Sequence, residues 1–264
     1  MHRYFLKLLQ QYCFLLGILL VSCNSPDSSG SHTLYHKRVI VFDSSERTTA
    51  KPSPVSKLAD TSYLELVFKQ YDLVNVQTLD SSIKVDLKYA DTSNFLKMNL
   101  YDGLRHAYLN CETATRLANA QFFLKNQHPE YSLIVFDAAR PLHIQQLMWD
   151  SLKMHPDLKF NYLAPPYQNS LHNYGCAIDL SIVNTATGEL LDMGTPYDFF
   201  GKLAQPINEM IYLKSGLLSK EAYDNRILLR QVMQRAQLNP INSEWWHFSM
   251  CTKEEAVKKF KLIQ

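Results

Sequence analysis

The sequence predicts an α+β fold, built as a single compact domain behind a shorter N-terminal segment. The 264 residues are 46% hydrophobic and 20% charged, which suits one globular domain with a sizeable core. Patterns of helical period and of strand type follow one another irregularly, without the β-α-β alternation that produces a parallel sheet. The same composition excludes a fibrous or wholly disordered chain.

Each predicted element has its own local signal. Residues 110–126 carry apolar side chains at helical spacing and predict a helix. Residues 131–137 form a β-branched and aromatic run, which indicates a buried strand. Pro141 opens a helix over 142–154, because proline fits a first turn. The remaining elements are a strand over 177–183, a turn at 185–188, a helix over 220–236 and a strand over 245–250.

The N-terminal thirty residues differ from the rest of the chain. The start carries Arg3 and Lys7 and no acid, residues 12–21 are almost wholly apolar, and residues 24–31 are polar. An apolar stretch of about ten residues is too short for a membrane-spanning helix, which needs roughly 20. The pattern is typical of an export signal that is cleaved.

The end of the apolar stretch, Leu20-Val21-Ser22-Cys23, resembles the lipobox of bacterial lipoproteins. The resemblance implies that Cys23 becomes the acylated first residue, with the several acyl groups that stable anchoring requires. A chance cysteine is the alternative. Asn24 rather than Asp after the cysteine favours the outer membrane. We therefore expect a lipid-anchored protein on the periplasmic side of the cell envelope.

Three segments follow from these patterns. We predict a signal peptide over residues 1–22, a lipidated cysteine with a flexible tether over 23–60, and a compact domain over 61–264. The tether includes one short predicted strand at 38–42. Removal of the signal takes away two positive charges and leaves the chain formally neutral. A neutral chain has no electrostatic footprint for nucleic acid, so we expect no such partner.

Three cysteines, Cys111, Cys176 and Cys251, remain in the compact domain. They lack C-x-x-C spacing, which argues against a thiolate zinc site. Export would permit one disulfide, and buried thiols are the alternative. The cysteine pattern leaves both open.

The residues that carry chemistry begin at 170–180, Ser-Leu-His-Asn-Tyr-Gly-Cys-Ala-Ile-Asp-Leu. His172 and Asp179 stand seven residues apart, and Gly175 between them lets the backbone turn and approach closely. We expect His172 in a loop and Asp179 on the strand that follows, so that both point at one ion. Taken singly, each residue is more often an ordinary core or surface group.

A second stretch, Ser-Glu-Trp-Trp-His-Phe at residues 243–248, supplies the other half of the pattern. Residues three apart on a flat strand face opposite sides, so Glu244 and His247 converge only if Glu244 lies in the turn before the strand. Two histidines and one carboxylate leave a fourth tetrahedral position for water, as in a catalytic zinc site. Glu244 beside that water can take its proton.

Together these motifs resemble those of the VanX-type D-Ala-D-Ala dipeptidases, zinc D,D-peptidases whose fold is shared with hedgehog signalling domains. The family pattern S-x-H-x-x-G-x-A-x-D is met at residues 170–179, and E-W-W-H at 244–247. Residues 86–95 match D-x-K-Y-A-x-x-x-N-F, and residues 187–199 resemble T-G-E-L-x-x-M-G-x-x-F-D-F. The resemblance runs from about residue 72 to about 250 and implies a mainly antiparallel central sheet flanked by helices.

The resemblance also implies roles at the reacting centre. One zinc ion per chain would be bound by His172, Asp179 and His247. Glu244 would be the catalytic base, and Arg140 would stabilise the oxyanion. Arg140 lies in Asp-Ala-Ala-Arg-Pro, where the family more often has D-G-Y-R-P, so we expect the packing near the substrate to differ from the family's. An ion pair with Asp137 is the alternative for Arg140.

Substrate recognition is implied in the same way. Asp198 and Ser170 would receive the free ammonium group of the substrate, because burying that charge unpaired is costly. Tyr89 would line the same pocket or pack in the core. A carboxylate at this position selects substrates with a free amino terminus and so favours a dipeptidase.

The expected activity is hydrolysis of D-Ala-D-Ala or a related small dipeptide, in cell-wall peptide turnover and D-alanine recovery. An exported enzyme cannot drain the cytoplasmic pool of that dipeptide, so we expect little or no glycopeptide resistance. One alternative is a D,D-carboxypeptidase or wall endopeptidase, against which Asp198 argues. Another is a non-catalytic, zinc-stabilised binding module, against which Glu244 and Arg140 argue.

Overall fold

The computed structural model describes residues 62–155, 159–160 and 163–264. The predicted signal peptide, Cys23, the tether and the strand at 38–42 lie outside these residues. No helix of the described ranges is long and apolar enough to cross a membrane.

Helices and strands are mixed along the described chain. The helices are α1 Tyr63–Gln70, α2 Cys111–Gln127, α3 Leu142–Ser151, α4 Glu209–Ser215, α5 Lys220–Arg235 and α6 Lys253–Lys259. The strands are β1 Val74–Asn75, β2 Lys84–Val85, β3 Tyr108–Leu109, β4 Tyr131–Asp137, β5 Ala177–Asn184, β6 Asn239–Pro240 and β7 His247–Ser249.

The central sheet has five strands in the order β2-β4-β5-β7-β6. Strand β2 pairs parallel with β4, and the other neighbours pair antiparallel. A separate two-stranded sheet joins β1 to β3. The α+β class and the mainly antiparallel sheet are therefore confirmed.

The core lies against the two long central strands. Leu133 and Val135 of β4 and Leu180 and Ile182 of β5 are fully buried. Helix α2 contacts both β4 and α5, and it begins where Asn110 Oδ1 accepts the backbone N–H of Thr113 at 2.9 Å. A side-chain acceptor at this position satisfies one of the unpaired donors of the first turn, which explains where the helix starts.

The last strand is shorter than the sequence predicts. Residues 245–250 were expected to be extended, but the strand begins only at His247. Trp245 and Trp246 lie in a bend just before the strand and are both buried. Their rings meet edge to face at 5.3 Å, and Trp245 Nε1 donates to Thr195 Oγ1 at 2.8 Å. The bend that buries both rings keeps Glu244 outside the strand.

The other predicted elements are confirmed with small shifts at their ends. Helix α3 stops at Ser151 instead of residue 154, because Leu152 already has extended backbone. Cys176 and Cys251 are free thiols, so they do not pair with each other. Cys176 is fully buried, as expected of a packing residue.

Candidate metal centre and active site

Three adjacent strands of the central sheet hold two acidic side chains and one imidazole of the site. Asp137 at the end of β4 lies opposite Asp179 of β5, and Asp179 lies opposite His247 of β7. Register in a sheet with one buried face is strongly specified, so these three residues are held side by side.

His172 comes from a short 3₁₀ helix, Leu171–Tyr174, that precedes β5. The Ser170 hydroxyl caps this helix by accepting the backbone N–H of His172. In turn, the Asn173 side-chain oxygen accepts the backbone N–H of Ser170. Gly175 follows with a φ of +62°, and a Cβ there would lie 2.8 Å from the backbone nitrogen of Asn110. Only glycine fits this turn, which explains the glycine between the two predicted ligands.

The ligand atoms of His172, Asp179 and His247 converge on one point. His172 Nε2 lies 3.2 Å from His247 Nδ1, His247 Nδ1 lies 2.9 Å from Asp179 Oδ1, and the third edge measures 3.4 Å. A tetrahedral zinc ion with bonds of about 2.0–2.1 Å separates its ligand atoms by about 3.3–3.4 Å. The three residues therefore fit a metal ion of this size, and they form a possible metal site.

Outer partners orient two of these three side chains, His172 and Asp179. His172 Nδ1 lies 2.7 Å from the Ala138 carbonyl, which places the proton on Nδ1 and leaves the Nε2 lone pair free. Tyr197 Oη donates to Asp179 Oδ2 at 3.0 Å, so Oδ1 remains for the cluster. Burial acts to raise the pKa of Asp179, but the two histidines hold that pKa below its ordinary value. The carboxylate is therefore ionised and ready for a cation.

Glu244 lies before β7, outside the strand, as the sequence predicts. Its Oε2 is 3.9 Å from His247 Nδ1, and its side chain is 25% exposed. Burial raises the pKa of Glu244 to about 7, although His247 opposes the shift. A carboxylate with a pKa near neutrality is matched to proton transfer at physiological pH.

Arg140 forms the ion pair with Asp137 that is one of its two predicted roles, and its role at the oxyanion stays a prediction. It is buried, it forms an ion pair with Asp137, and it also lines the cavity beside the cluster. Its Nη1 donates to Gln145 Oε1 at 2.8 Å. The Tyr101 hydroxyl donates to the same Asp137. Asp137 and Gln145 therefore fix the position of the guanidinium at the wall of the cavity.

Asp198 and Tyr89 form a second polar group at the cavity. Tyr89 Oη donates to Asp198 Oδ2 at 2.9 Å. Burial, followed by the nearby charge of Asp179, raises the pKa of Asp198 well above its ordinary value. Asp198 also has a left-handed backbone with φ +58°, which is uncommon for a residue other than glycine. A buried carboxyl of this kind gains most from a cationic partner.

One cavity of about 820 Å³ collects all of these groups. The predicted metal-binding, catalytic and substrate-binding residues that line it are His172, Asp179, His247, Glu244, Arg140, Asp198, Ser170 and Tyr89. The structure thus brings together residues that are spread over about 160 positions of the chain.

The family model for M15 peptidases, described as D-ala-D-ala dipeptidase, matches residues 69–262 of this chain. The chain belongs to the M15 peptidase family. It is therefore a peptidase of a metal-dependent family.

Named relatives of this M15 peptidase include the D-alanyl-D-alanine dipeptidase of Escherichia coli, which is 28% identical over 179 residues and covers 68% of this chain and 84% of the relative. The D-alanyl-D-alanine dipeptidase of Enterococcus faecalis is 27% identical, and the match covers 64% of this chain and 86% of that relative. The D-alanyl-D-alanine dipeptidase of Synechocystis is 26% identical, and the match covers 56% of this chain and 71% of that relative.

The M15 peptidase site also contains residues that the sequence patterns did not indicate. Tyr197 contacts Asp179, Gln145 contacts Arg140, and the cavity is further lined by Lys202 and Gln205. Tyr197 stands next to Asp198 in the motif at 187–199, and this position in the motif is the sequence signal that points to Tyr197 as a site residue. Gln145 lies inside α3 with no local pattern to mark it.

Proposed function

We propose that this M15 peptidase hydrolyses D-Ala-D-Ala with one zinc ion held by His172, Asp179 and His247. The observation that carries the proposal is the convergence of three ligand atoms at 2.9–3.4 Å in a cavity that also holds a half-buried carboxylate and a buried arginine. The family description and the names of the relatives support the choice of substrate.

Each protein group then has a distinct task in peptide hydrolysis. Zinc, when bound, supplies Lewis-acid polarisation of the scissile carbonyl and lowers the pKa of a water molecule. Glu244 accepts the proton of the attacking water and passes it to the leaving amine. Arg140, held by Asp137, donates hydrogen bonds to the oxyanion that develops on the carbonyl oxygen.

Substrate binding uses the other polar group of the cavity. Asp198 receives the ammonium group of the dipeptide, together with the Ser170 hydroxyl. Tyr89 orients Asp198 through its 2.9 Å hydrogen bond. An ammonium group placed against the buried carboxyl of Asp198 stabilises the ionised form of that carboxyl, so substrates with a free amino terminus are preferred.

A turnover assay tests this proposal. We expect cleavage of D-Ala-D-Ala that is abolished by a chelator and restored by zinc, with unit metal stoichiometry by elemental analysis. An amino-acetylated D-Ala-D-Ala should be cleaved far more slowly. Preference for the acetylated compound would indicate a carboxypeptidase or endopeptidase, and zinc binding without cleavage of either compound would indicate a binding module.

We also propose that the protein acts outside the inner membrane, as a lipoprotein anchored through Cys23, and recovers D-alanine from wall peptides. The support is the signal-like sequence over residues 1–22 and the lipobox-like Leu-Val-Ser-Cys. Fractionation of cells with the native gene and with Cys23→Ala tests this. Active protein in the cytoplasm with its first twenty residues intact would overturn it.

A further inference from the structure

The cavity lining contains acids in excess over available cations. Its carboxylates are Asp179, Asp198 and Glu244, and among the described residues its lysine and arginine side chains are Lys202 and Arg140. Arg140 is already ion-paired with the buried Asp137. The ammonium group of Lys202 makes no hydrogen bond or ion pair with any described residue. Lys202 is thus the uncommitted cation of this cavity.

Gln205 stands beside Lys202 on the same face. Lys202 opens the 3₁₀ helix Lys202–Ala204, and Gln205 ends it, with its backbone N–H bonded to the Lys202 carbonyl at 3.1 Å. Both side chains line the cavity. Gln205 Oε1 accepts from Asn208 Nδ2 at 2.8 Å, which directs the amide N–H₂ of Gln205 away from Asn208 as a free donor. A cation and an amide donor on one face form a receptor for a carboxylate.

The distance along the chain suits the length of a dipeptide. Lys202 follows Asp198 by four residues, so their Cα atoms are at most about 14 Å apart. An extended dipeptide spans roughly 7 Å, which lies within that limit, and the Gly201 N–H bond to the Phe199 carbonyl at 2.9 Å keeps the segment shorter than a fully extended chain. A zwitterionic dipeptide has an ammonium group for Asp198 and a carboxylate for Lys202.

We propose that Lys202, assisted by Gln205, binds the C-terminal carboxylate of the substrate and so determines specificity for free dipeptides. This inference rests on the proposed function, in which Asp198 binds the ammonium group of the dipeptide. It adds the residue that binds the carboxylate at the other end. Together the two ends exclude peptides that are extended in either direction. In this arrangement Lys202 binds the substrate at its carboxylate and not at the scissile bond, so its effect falls on KM.

The test compares Lys202→Gln with wild type on D-Ala-D-Ala and on the C-terminal amide of D-Ala-D-Ala. Loss of a charge-assisted hydrogen bond should raise KM for the acid about tenfold or more, with kcat within about twofold. The amide lacks the carboxylate, so its KM should be the same for both proteins. Lys214→Gln removes an exposed lysine that does not line the cavity and is the matched control.

The outcomes separate this inference from the proposed function. Wild-type cleavage of D-Ala-D-Ala, with equal effects of Lys202→Gln on acid and amide or with no effect on either, overturns the role of Lys202 and leaves the dipeptidase intact. Wild-type failure to cleave either compound overturns both. Lys202 is exposed, so the variant should fold, and an unchanged circular dichroism melting curve checks this.

Discussion

At the scale of single residues, three tyrosines each donate a hydrogen bond to a different carboxylate of the site. Tyr89 donates to Asp198, Tyr101 to Asp137 and Tyr197 to Asp179. Tyr197 is further held by the rings of Phe136 and Trp246, at 5.2 and 5.3 Å. A hydroxyl in a packed ring is a rigid donor, so each carboxylate is oriented before any ligand arrives.

Removing one such hydroxyl should weaken metal binding selectively. We expect Tyr197→Phe to lower zinc affinity about tenfold, because partners of metal ligands typically contribute 10–100-fold. Competition with a chromogenic chelator measures this without reference to activity. Tyr89→Phe is the control, since it should raise KM and leave zinc affinity unchanged. Equal zinc affinity in both variants would remove Tyr197 from this role.

Glu244 predicts the pH dependence of the reaction. Its pKa is raised to about 7 in the metal-free protein, chiefly by burial, and a bound divalent cation lowers it by electrostatic attraction. The base must be ionised, so kcat/KM should fall as the pH falls, with a midpoint below about 7. Glu244→Gln should retain zinc and lose turnover by several orders of magnitude at every pH. Residual activity above about a tenth would mean that another base acts.

Asp198 should lower the free energy of unfolding of the protein at neutral pH, although it serves to bind the substrate. Burial raises its pKa, so the folded protein loses stability as the pH rises from the ordinary aspartate pKa through the raised value. At pH 7 we expect Asp198→Asn to stabilise the metal-free protein by about 1 kcal/mol or more and to raise KM. Thermal melts at pH 4 and pH 7 check the sign, since the gain should be smaller at pH 4.

At the scale of elements, the short turn that carries His172 depends on Gly175. Gly175→Ala combines a φ of +62° with a Cβ only 2.8 Å from the Asn110 nitrogen, and we expect it to destabilise by about 2 kcal/mol or more. Gly188→Ala is the matched control, because its φ is +77° but nothing lies within 4 Å of the new Cβ. That variant should lose only about 1–2 kcal/mol. Chemical denaturation measures both, and equal losses would mean that the close contact relaxes.

At the scale of the whole molecule, the proposed metal joins segments that are distant in sequence, since His172 and His247 are 75 residues apart. Binding to the folded state alone stabilises by about 4 kcal/mol at a thousandfold excess over Kd. Chelation should therefore lower the melting temperature by about 2–4 °C for each kcal/mol in a domain of this size. His247→Ala should melt at the same temperature with and without chelator, whereas Glu244→Ala should keep the difference. A chelator effect that persists in His247→Ala would exclude His247 as a ligand.

The sequence alone determined the fold class, the main helices and strands, and the residues expected at the metal. Local signals suffice for these: helical period over 110–126, the β-branched run at 131–137, and the close spacing of His172, Gly175 and Asp179. Glu244 was placed before the last strand by the two-residue period of a strand alone.

Only the tertiary structure decided what surrounds those residues. The contacts of Tyr197 with Asp179 and of Gln145 with Arg140, the position of Lys202 and Gln205 on the cavity wall, and the late start of the last strand depend on contacts between elements. Hydrogen bonds of this kind join side chains whose sequence separation carries no periodic signal. Their formation is set by how helices and strands pack, because a buried donor must find its acceptor wherever the fold places it.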